Sequence, residues 1–536
     1  MPPFFALLKS EVTLEIAVQT FNKTRGKEIL IVFFCLLIGF TLRFYTFDQK
    51  SLWLDEVHTY NDSRDGIKGQ FEFYKANPTY LHLPLFFILT HLFYPFTQPE
   101  RDLRIIPLIF GTLSIPMIYL LARQFSASIA LPCTLSLTFM VYHISLSQEG
   151  RFYSMLLFFA ITGLYFFLKH LEDKKWRSLL FVTFSFTVMF YTSYSSIPFI
   201  FLSQLLWFYQ INGIDWKRRL SSSLVLNGTL LLFCLPWILF IILNYRGQSF
   251  ITESLRTQDL GSLWNTLHVI LHDWVPHTLL IIISVILLIF FPIFSKNWRN
   301  ATILMAFLLL PIGGLYFYCK LNSITHFITS RYFISFLPIF LIVLFLSLGS
   351  FGKKLKRFER FFRLELLFII FLVASNLFIL PFYYRSEKQD FRGLATYLKS
   401  HIQDGDKVIV GSIGYIAGLL HYFGVSPQGR HYLLSTQRVS DEEVEYKNSL
   451  IIQNKRFIIS YSNTYWVQYA VEGSRLWIVV DKDTSQKFKK LPFSVLKGYF
   501  DGSFLNFDRF PTDASMYLFL WNPHSPEEKG IDMALE

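Results

Sequence analysis

Apolar runs long enough to cross a bilayer recur in this chain from residue 29 to residue 382 and then stop. A helix needs roughly 17 to 25 largely apolar residues to span about 30 Å of hydrocarbon, and only helices or closed barrels satisfy their backbone there. The candidates are 29–47, 81–97, 103–122, 127–146, 152–169, 176–192, 195–211, 222–243, 276–294, 301–319, 330–350 and 364–384. Composition agrees: 52% of residues are hydrophobic, 60 are Phe, and only 16% are charged, the balance of a membrane protein. The first run follows Arg25 and Lys27, exceeds a signal peptide's apolar core and lacks a small-residue cleavage site, so it reads as a retained anchor.

The formal charge of +12 would suggest nucleic acid in a soluble protein, but here Lys and Arg gather in short connectors. They are Lys174, Lys175 and Arg177; Lys217, Arg218 and Arg219; and the run KKLKRFERFFR at 353–363. With the N-terminus cytoplasmic, twelve crossings would put all three clusters outside, against the positive-inside rule. Laying 81–97 along the outer surface, where His82, Pro84, His91 and Pro95 interrupt it, returns each cluster to the cytoplasm. The expected fold is therefore a polytopic α-helical membrane protein with about eleven transmembrane helices and an interfacial helix in the first outer loop, 48–102. It is placed in the plasma membrane, the inner membrane if bacterial.

The segment after residue 384 reads as a small extracytoplasmic α/β domain, which divides the chain into 1–384 and 385–536. Its pattern gives a helix FRGLATYLKSHI, a turn QDGD, a strand KVIVGS, a helix YIAGLLHYFG, then strands RFIISY, RLWIVVD and MYLFLW. The four cysteines, Cys35, Cys133, Cys234 and Cys319, all fall inside apolar runs, which indicates neither a disulfide framework nor a zinc site.

On that topology several polar stretches reach one membrane face. SLWLDEVHTY carries Asp55 and Glu56, which as neighbours on a helix or strand cannot point the same way. LHLPLFF places His82 at headgroup depth, and QPERDLRIIPLIFG brings Arg101, Asp102 and Arg104 to a helix end. SLSQEGRFYSMLLFFA crowds Gln148, Glu149, Arg151 and Tyr153 into a helix junction, where a carboxylate near hydrocarbon is costly. HFITSRYFISFLPIF adds Arg331 and Tyr332. Each stretch alone has an ordinary reading, a solvated loop charge or a snorkelling Arg. Their convergence on one side points to a site.

These stretches, in this order, resemble motifs of the C-type, multi-spanning glycosyltransferases that use polyprenyl-phosphate sugars, the group of the protein O-mannosyltransferases and the lipid A aminoarabinose transferase. SLWLDEVHTY resembles the acidic motif of the first loop, LHLPLFF the His-Pro-Pro-Leu element, LRIIPLIFG the Arg-x-x-x-x-x-x-Gly helix, and SQEGRFYSMLL the Ser-Gln-Glu-Ala-Arg-x-Tyr-Ser junction. RYFISFLP resembles the Arg-Tyr helix, and DFRGLATYLKSHIQDGDKVIV the opening of the outer domain. Leu83 and Gly150 depart from the pattern, which often has Pro and Ala there.

The resemblance implies a membrane glycosyltransferase, hexosyl or pentosyl, that moves a sugar from a polyprenyl phosphate to a hydroxyl of a glycan, lipid or protein on the outer side. Asp55 aligns with the family's catalytic acid and takes the role of base. Arg331, Arg151 and His82 are candidates for stabilising the leaving phosphate, with Glu149 holding Arg151 or touching the sugar. Glu56, Arg104, Gln148, Tyr153 and Tyr332 complete the supporting and substrate-binding set. Inversion is expected, since retention needs a second, nucleophilic carboxylate. No cofactor or metal is expected; a divalent cation bridging phosphate is conceivable but not indicated. Membrane lipid is a partner and nucleic acid is not. The competing class is a transporter or flippase, which would keep ionisable groups at mid-membrane and show internal repeats. Here the mid-helix segments are nearly uniform Leu, Ile and Phe, and no repeat is found.

Overall fold

A computed structural model describes residues 26–76, 83–209, 216–244, 261–321, 329–354, 364–411, 413–424, 449–452, 455–459, 473, 475–502, 515–525 and 528–532. Helix α1 covers 26–44. The first loop then holds α2 (Leu54–Ser63), α3 (Gly66–Ala76), α4 (Pro84–Thr90) and α5 (Pro99–Asp102). Next come α6 (Ile105–Phe125), α7 (Ala127–Phe139), α8 (Val141–Ser147), α9 (Tyr153–Asp173), α10 (Trp176–Thr192) and α11 (Ser196–Ser203). The helical part ends with α12 (Trp216–Asn244), α13 (Leu263–Trp274), α14 (Thr278–Phe294), α15 (Trp298–Leu321), α16 (Leu337–Lys354) and α17 (Leu364–Arg385).

Among the described residues six helices are long and apolar enough to cross a membrane, and two bent pairs raise the number to eight. The interrupted segment of the first loop is a short apolar helix over Pro84–Phe93. His82 and most of the basic run 353–363 lie outside the described residues. Spans differ in what covers them: 83% of the Ser330–Gly352 window is buried within the protein against 22% of Trp216–Leu243. Helix α12 exposes Leu231, Leu232, Phe233 and Leu243, an apolar surface suited to hydrocarbon.

One expected span is bent, and the span 276–294 is preceded by an unexpected helix, α13, that turns sharply against it. The run 127–146 breaks at Met140, whose extended ψ of 109° ends α7, and α8 leaves at 59° to it. A break inside a membrane exposes backbone groups that hydrocarbon cannot satisfy. Here buried Arg43 of α1 donates to the carbonyls of Leu137 and Thr138, and Asn376 of α17 accepts from Val141 N at 2.9 Å. The second bend, 114° between α13 and α14, falls at Val275, Pro276 and His277, and His277 Nδ1 caps α14 by accepting from Leu279 N.

The C-terminal part is a six-stranded sheet, β1 (Lys407–Val410), β2 (Ser449–Ile452), β3 (Lys455–Ile459), β4 (Leu476–Val480), β5 (Ser494–Phe500) and β6 (Met516–Trp521), in the order β2-β3-β1-β4-β6-β5. Strands β3 and β4 flank β1 in parallel, while β2 and β6 run antiparallel to their neighbours. Helices α18 (Phe391–His401) and α19 (Ile413–Tyr422) cover one face through Phe391, Leu394, Leu398 and Leu419. A short helix α20 (Lys482–Phe488) packs on the other through Phe488. Strands β2 and β5 and helix α20 were not expected from the pattern. β2 has four residues, as β1 does, and β5 keeps its alternating burial but places Lys497 and Gly498 at its centre, around a register shift between Leu496 and Gly498. Ala417 of α19 packs with Leu52, Val57 and Leu103, so this layer sits directly on the start of α2.

Candidate active site

Asp55 and Glu56 occupy the first turn of α2, where successive side chains lie about 100° apart around the axis. Glu56 turns inward and is only 1% exposed; Asp55 turns outward and keeps 24%. An ionised carboxylate is tolerated inside only when its lone pairs are satisfied. Glu56 receives Arg104 in a bidentate pair, Nε to Oε1 and Nη2 to Oε2, each at 2.7 Å. Gly150 N donates to the same Oε1 at 2.6 Å, and Trp53 N donates to Oε2 at 3.3 Å. The remaining Arg104 donors go to the carbonyls of Phe47, Lys50 and Ser51, each at 3.0 Å. This pair ties three stretches, 47–56, the start of α6 and the 148–151 junction, into one unit.

The same packing accounts for Gly150. A Cβ there would stand 2.9 Å from Leu103 Cβ and 3.2 Å from Glu56 Oε1, closer than ordinary contact.

Asp55 faces cations. Arg331 Nη1 donates to its Oδ2 at 3.3 Å, and Arg151 Nε lies 3.9 Å from the same oxygen. Both guanidinium groups are buried, Arg331 over the rings of Trp53 and Tyr153 and Arg151 against Phe152. Arg151 also donates to Thr59 Oγ1 at 3.1 Å and to the Asp55 carbonyl. Burial alone would raise the Asp55 pKa, but Arg151, Arg331, Lys388 and His58 together outweigh it and hold the carboxyl at about 2. His58, one turn further along α2, is pushed the other way: burial lowers its pKa, Asp55 resists this and Arg151 adds to it. The site therefore presents an ionised carboxylate beside a neutral-leaning imidazole.

Other expected residues have structural partners. Gln148 Nε2 donates to the carbonyls of Arg43 and Tyr45, and its Oε1 accepts from Tyr383 OH at 2.6 Å, so it braces α1 against α17. Glu149 Oε2 pairs with Lys388 Nζ at 3.1 Å. Tyr153 is buried beneath Arg331, and Tyr332 packs against the helical core. Next to Arg331, Ser330 donates to Asp273 Oδ2 at 2.5 Å and bonds Tyr142 OH at 2.8 Å. Asp55, Glu56, Arg104, Gln148, Glu149, Arg151, Tyr153 and Arg331 thus gather around one helix start.

Sequence reading missed Trp53, His58, Thr59 and Lys388. His58 carried a signal, being an ionisable residue three positions after Asp55 on the same helix face. Lys388 carried none, since only the fold brings the segment after α17 to α2. Among the described residues no three His, Cys, Asp or Glu side chains gather as a metal site.

A bundle of membrane-length helices, a loop helix bearing the site and a sheet seated on that loop define a multi-spanning fold like that of ArnT. Residues 82–240 match the family model described as dolichyl-phosphate-mannose-protein mannosyltransferase. The crystal structure of ArnT from Cupriavidus metallidurans in the apo state is similar with a TM-score of 0.55 at 13% identity, over 95% of this chain and 100% of that one. The same protein bound to undecaprenyl phosphate gives 0.52 at 14% identity, over 94% and 99%. No curated protein sequence matches the chain. At these identities the likeness is one of fold.

Proposed function

We propose that this chain is a membrane glycosyltransferase that moves a sugar from a polyprenyl phosphate to a hydroxyl of a glycan, lipid or protein at the outer membrane surface, with inversion. The observation that carries the reading is the partly exposed Asp55 carboxylate beside two buried guanidinium groups, at 3.3 and 3.9 Å. Further support comes from the family-model match and from the ArnT structure that holds undecaprenyl phosphate.

In this reading Asp55 takes the acceptor hydroxyl's proton as the oxygen attacks the anomeric carbon. The bond from that carbon to the phosphate oxygen breaks, and polyprenyl phosphate leaves with the electron pair. Arg331 and Arg151 stabilise the charge that grows on the leaving oxygen. A carboxylate held near 2 by these cations is a weak base. A bound phosphodiester would neutralise part of the field of the two guanidinium groups and so return basicity to Asp55 when it is needed. A single displacement also suits Glu56, whose two carboxylate oxygens are both engaged by Arg104, so that it is not offered as a nucleophile, in keeping with inversion.

The topology belongs to the same reading. Counting α1, α10 and the Ser196–Phe208 stretch with the six long helices and the two bent pairs gives eleven crossings, with Pro84–Phe93 on the outer surface. The N-terminus is then cytoplasmic, and the domain 385–536 is extracytoplasmic.

The test is transfer from a polyprenyl-linked sugar, assayed in membranes matched for expression. Asp55→Asn should lose on the order of 10²- to 10⁴-fold in rate, the range of a positioned base. Undiminished transfer by the variant would sink the assignment.

A further inference from the structure

We propose that Lys388, in the segment that joins α17 to the C-terminal sheet, binds the phosphate of the lipid-linked donor, so that this site is completed only when that segment is seated on the first loop. The proposal rests on the transferase reading above and adds a residue to it.

The segment is fixed from both sides of Lys388. Glu387 Oε2 accepts from Ser51 N at 3.0 Å, and Gln389 Oε1 accepts from Leu54 N at 2.9 Å. Those two backbone N–H groups immediately precede and open α2, where an unsatisfied donor would be costly. Beyond them Tyr422 OH accepts from Leu52 N at 2.7 Å, and Arg392 N donates to Ser51 Oγ at 3.2 Å. Lys50 Nζ answers from the loop side, donating to the carbonyls of Tyr383 and Ser386 at 2.5 and 2.8 Å. The residues flanking Lys388 therefore hold the stretch 51–54 that leads into Asp55.

From that anchored position the Lys388 ammonium reaches the site itself. Its Nζ lies 3.6 Å from the centre of the Trp53 ring, and Arg331 Cζ lies 5.1 Å from the same ring. The indole thus places two cations beside Asp55, and Glu149 holds the first of them at 3.1 Å. Arg151, Arg331 and Lys388 are three cations grouped about Asp55 and Trp53, and such a group suits a phosphodiester monoanion. The two guanidinium groups are buried and braced, whereas an ammonium on a flexible four-carbon stem can turn from Glu149 to a phosphate oxygen.

The experiment measures binding of undecaprenyl phosphate to the full-length protein in nanodiscs, with wild type, Lys388→Met, Lys388→Arg, Glu149→Gln and Asp55→Asn. Lys388→Met should weaken binding about tenfold to a hundredfold, the scale of one hydrogen bond to a charged group, and Lys388→Arg should recover most of it. Glu149→Gln should bind at least as tightly as wild type, because it frees the ammonium. Unchanged binding by Lys388→Met overturns the proposal, and so does a loss in Glu149→Gln as large as in Lys388→Met, which would make Lys388 a brace for Glu149. Asp55→Asn separates the two readings, since binding needs no base. If that variant transfers sugar normally while Lys388→Met has lost binding, the base assignment fails and Lys388 stands. If wild type does not bind undecaprenyl phosphate at all, the donor reading falls and Lys388 with it.

Discussion

The field around Asp55 makes a quantitative statement about pH that can be separated from loss of the side chain. With its carboxyl held at about 2, Asp55 is only about 1% protonated at pH 4. The sign follows from the depressed pKa: the ionised base is present above that value and is lost only as pH falls through it. Transfer measured as kcat/KM, which reports the free enzyme, should therefore stay flat from pH 8 down to about 4. Arg331→Gln removes the cation at 3.3 Å and leaves Arg151 at 3.9 Å. An opposite charge at such range lowers a carboxyl by about 1 to 3 units, so the variant's acid limb should move up to a midpoint of about 3 to 5.

The limb of kcat, which reports the donor complex, should lie above that of kcat/KM in wild type, because the bound phosphate partly neutralises the same cations. The assay is transfer at varied donor concentration across the pH series, with a stability control at each pH. A phosphodiester donor stays singly charged throughout and adds no limb of its own. A wild-type limb near pH 6 that Arg331→Gln leaves in place would refute the reasoning. It would assign the proton to another group, and His58, one turn from Asp55, is the nearest candidate on α2.

Further outcomes follow from the same geometry. Glu56→Ala strands buried Arg104 without its bidentate partner and should destabilise the protein by about 3 to 5 kcal/mol in detergent unfolding, while Glu56→Met with Arg104→Met should restore much of the loss. Gly150→Ala forces a methyl against Leu103 and Glu56 and should cost about 1 to 3 kcal/mol in the same measurement; an unchanged melting curve would show that the junction yields freely. For topology, all four native cysteines are buried, so a single cysteine at Asp404 should react with an impermeant thiol reagent from outside and one at Lys175 should not. Asp55→Asn, with its expected 10²- to 10⁴-fold loss, sets the reference against which these variants are read.

Local pattern carried far into the fold and stopped where long-range pairing began. The strands KVIVGS, RFIISY, RLWIVVD and MYLFLW supply β1, β3, β4 and β6, because a short apolar run rich in β-branched and aromatic residues is the pattern of a buried strand. The break at Met140 is not written there. It depends on Arg43 and Asn376, which come from other helices to satisfy the freed backbone. In the site, the types and order of Asp55, Glu149, Arg151 and Arg331 were legible, but their partners were not. Nothing local distinguishes an Arg that closes on a buried Glu, as Arg104 does, from one beside a half-exposed Asp, as Arg331 is. Lys388 is further removed, since its role depends on how the C-terminal layer sits on α2.

The adjacency of Asp55 and Glu56 has a physical use. Two acids side by side in a first helical turn must diverge, so fixing one aims the other. Glu56 accepts four hydrogen bonds, from Arg104, Gly150 and Trp53, and these set the rotation of α2 about its axis. Asp55 is then turned toward Arg331 and Arg151 without needing many contacts of its own, which leaves its carboxylate partly open to an acceptor. The side-chain acceptors from Glu387, Tyr422 and Gln389 fix where the turn begins along the chain. Rotation is thus set from the helical bundle and translation from the C-terminal layer.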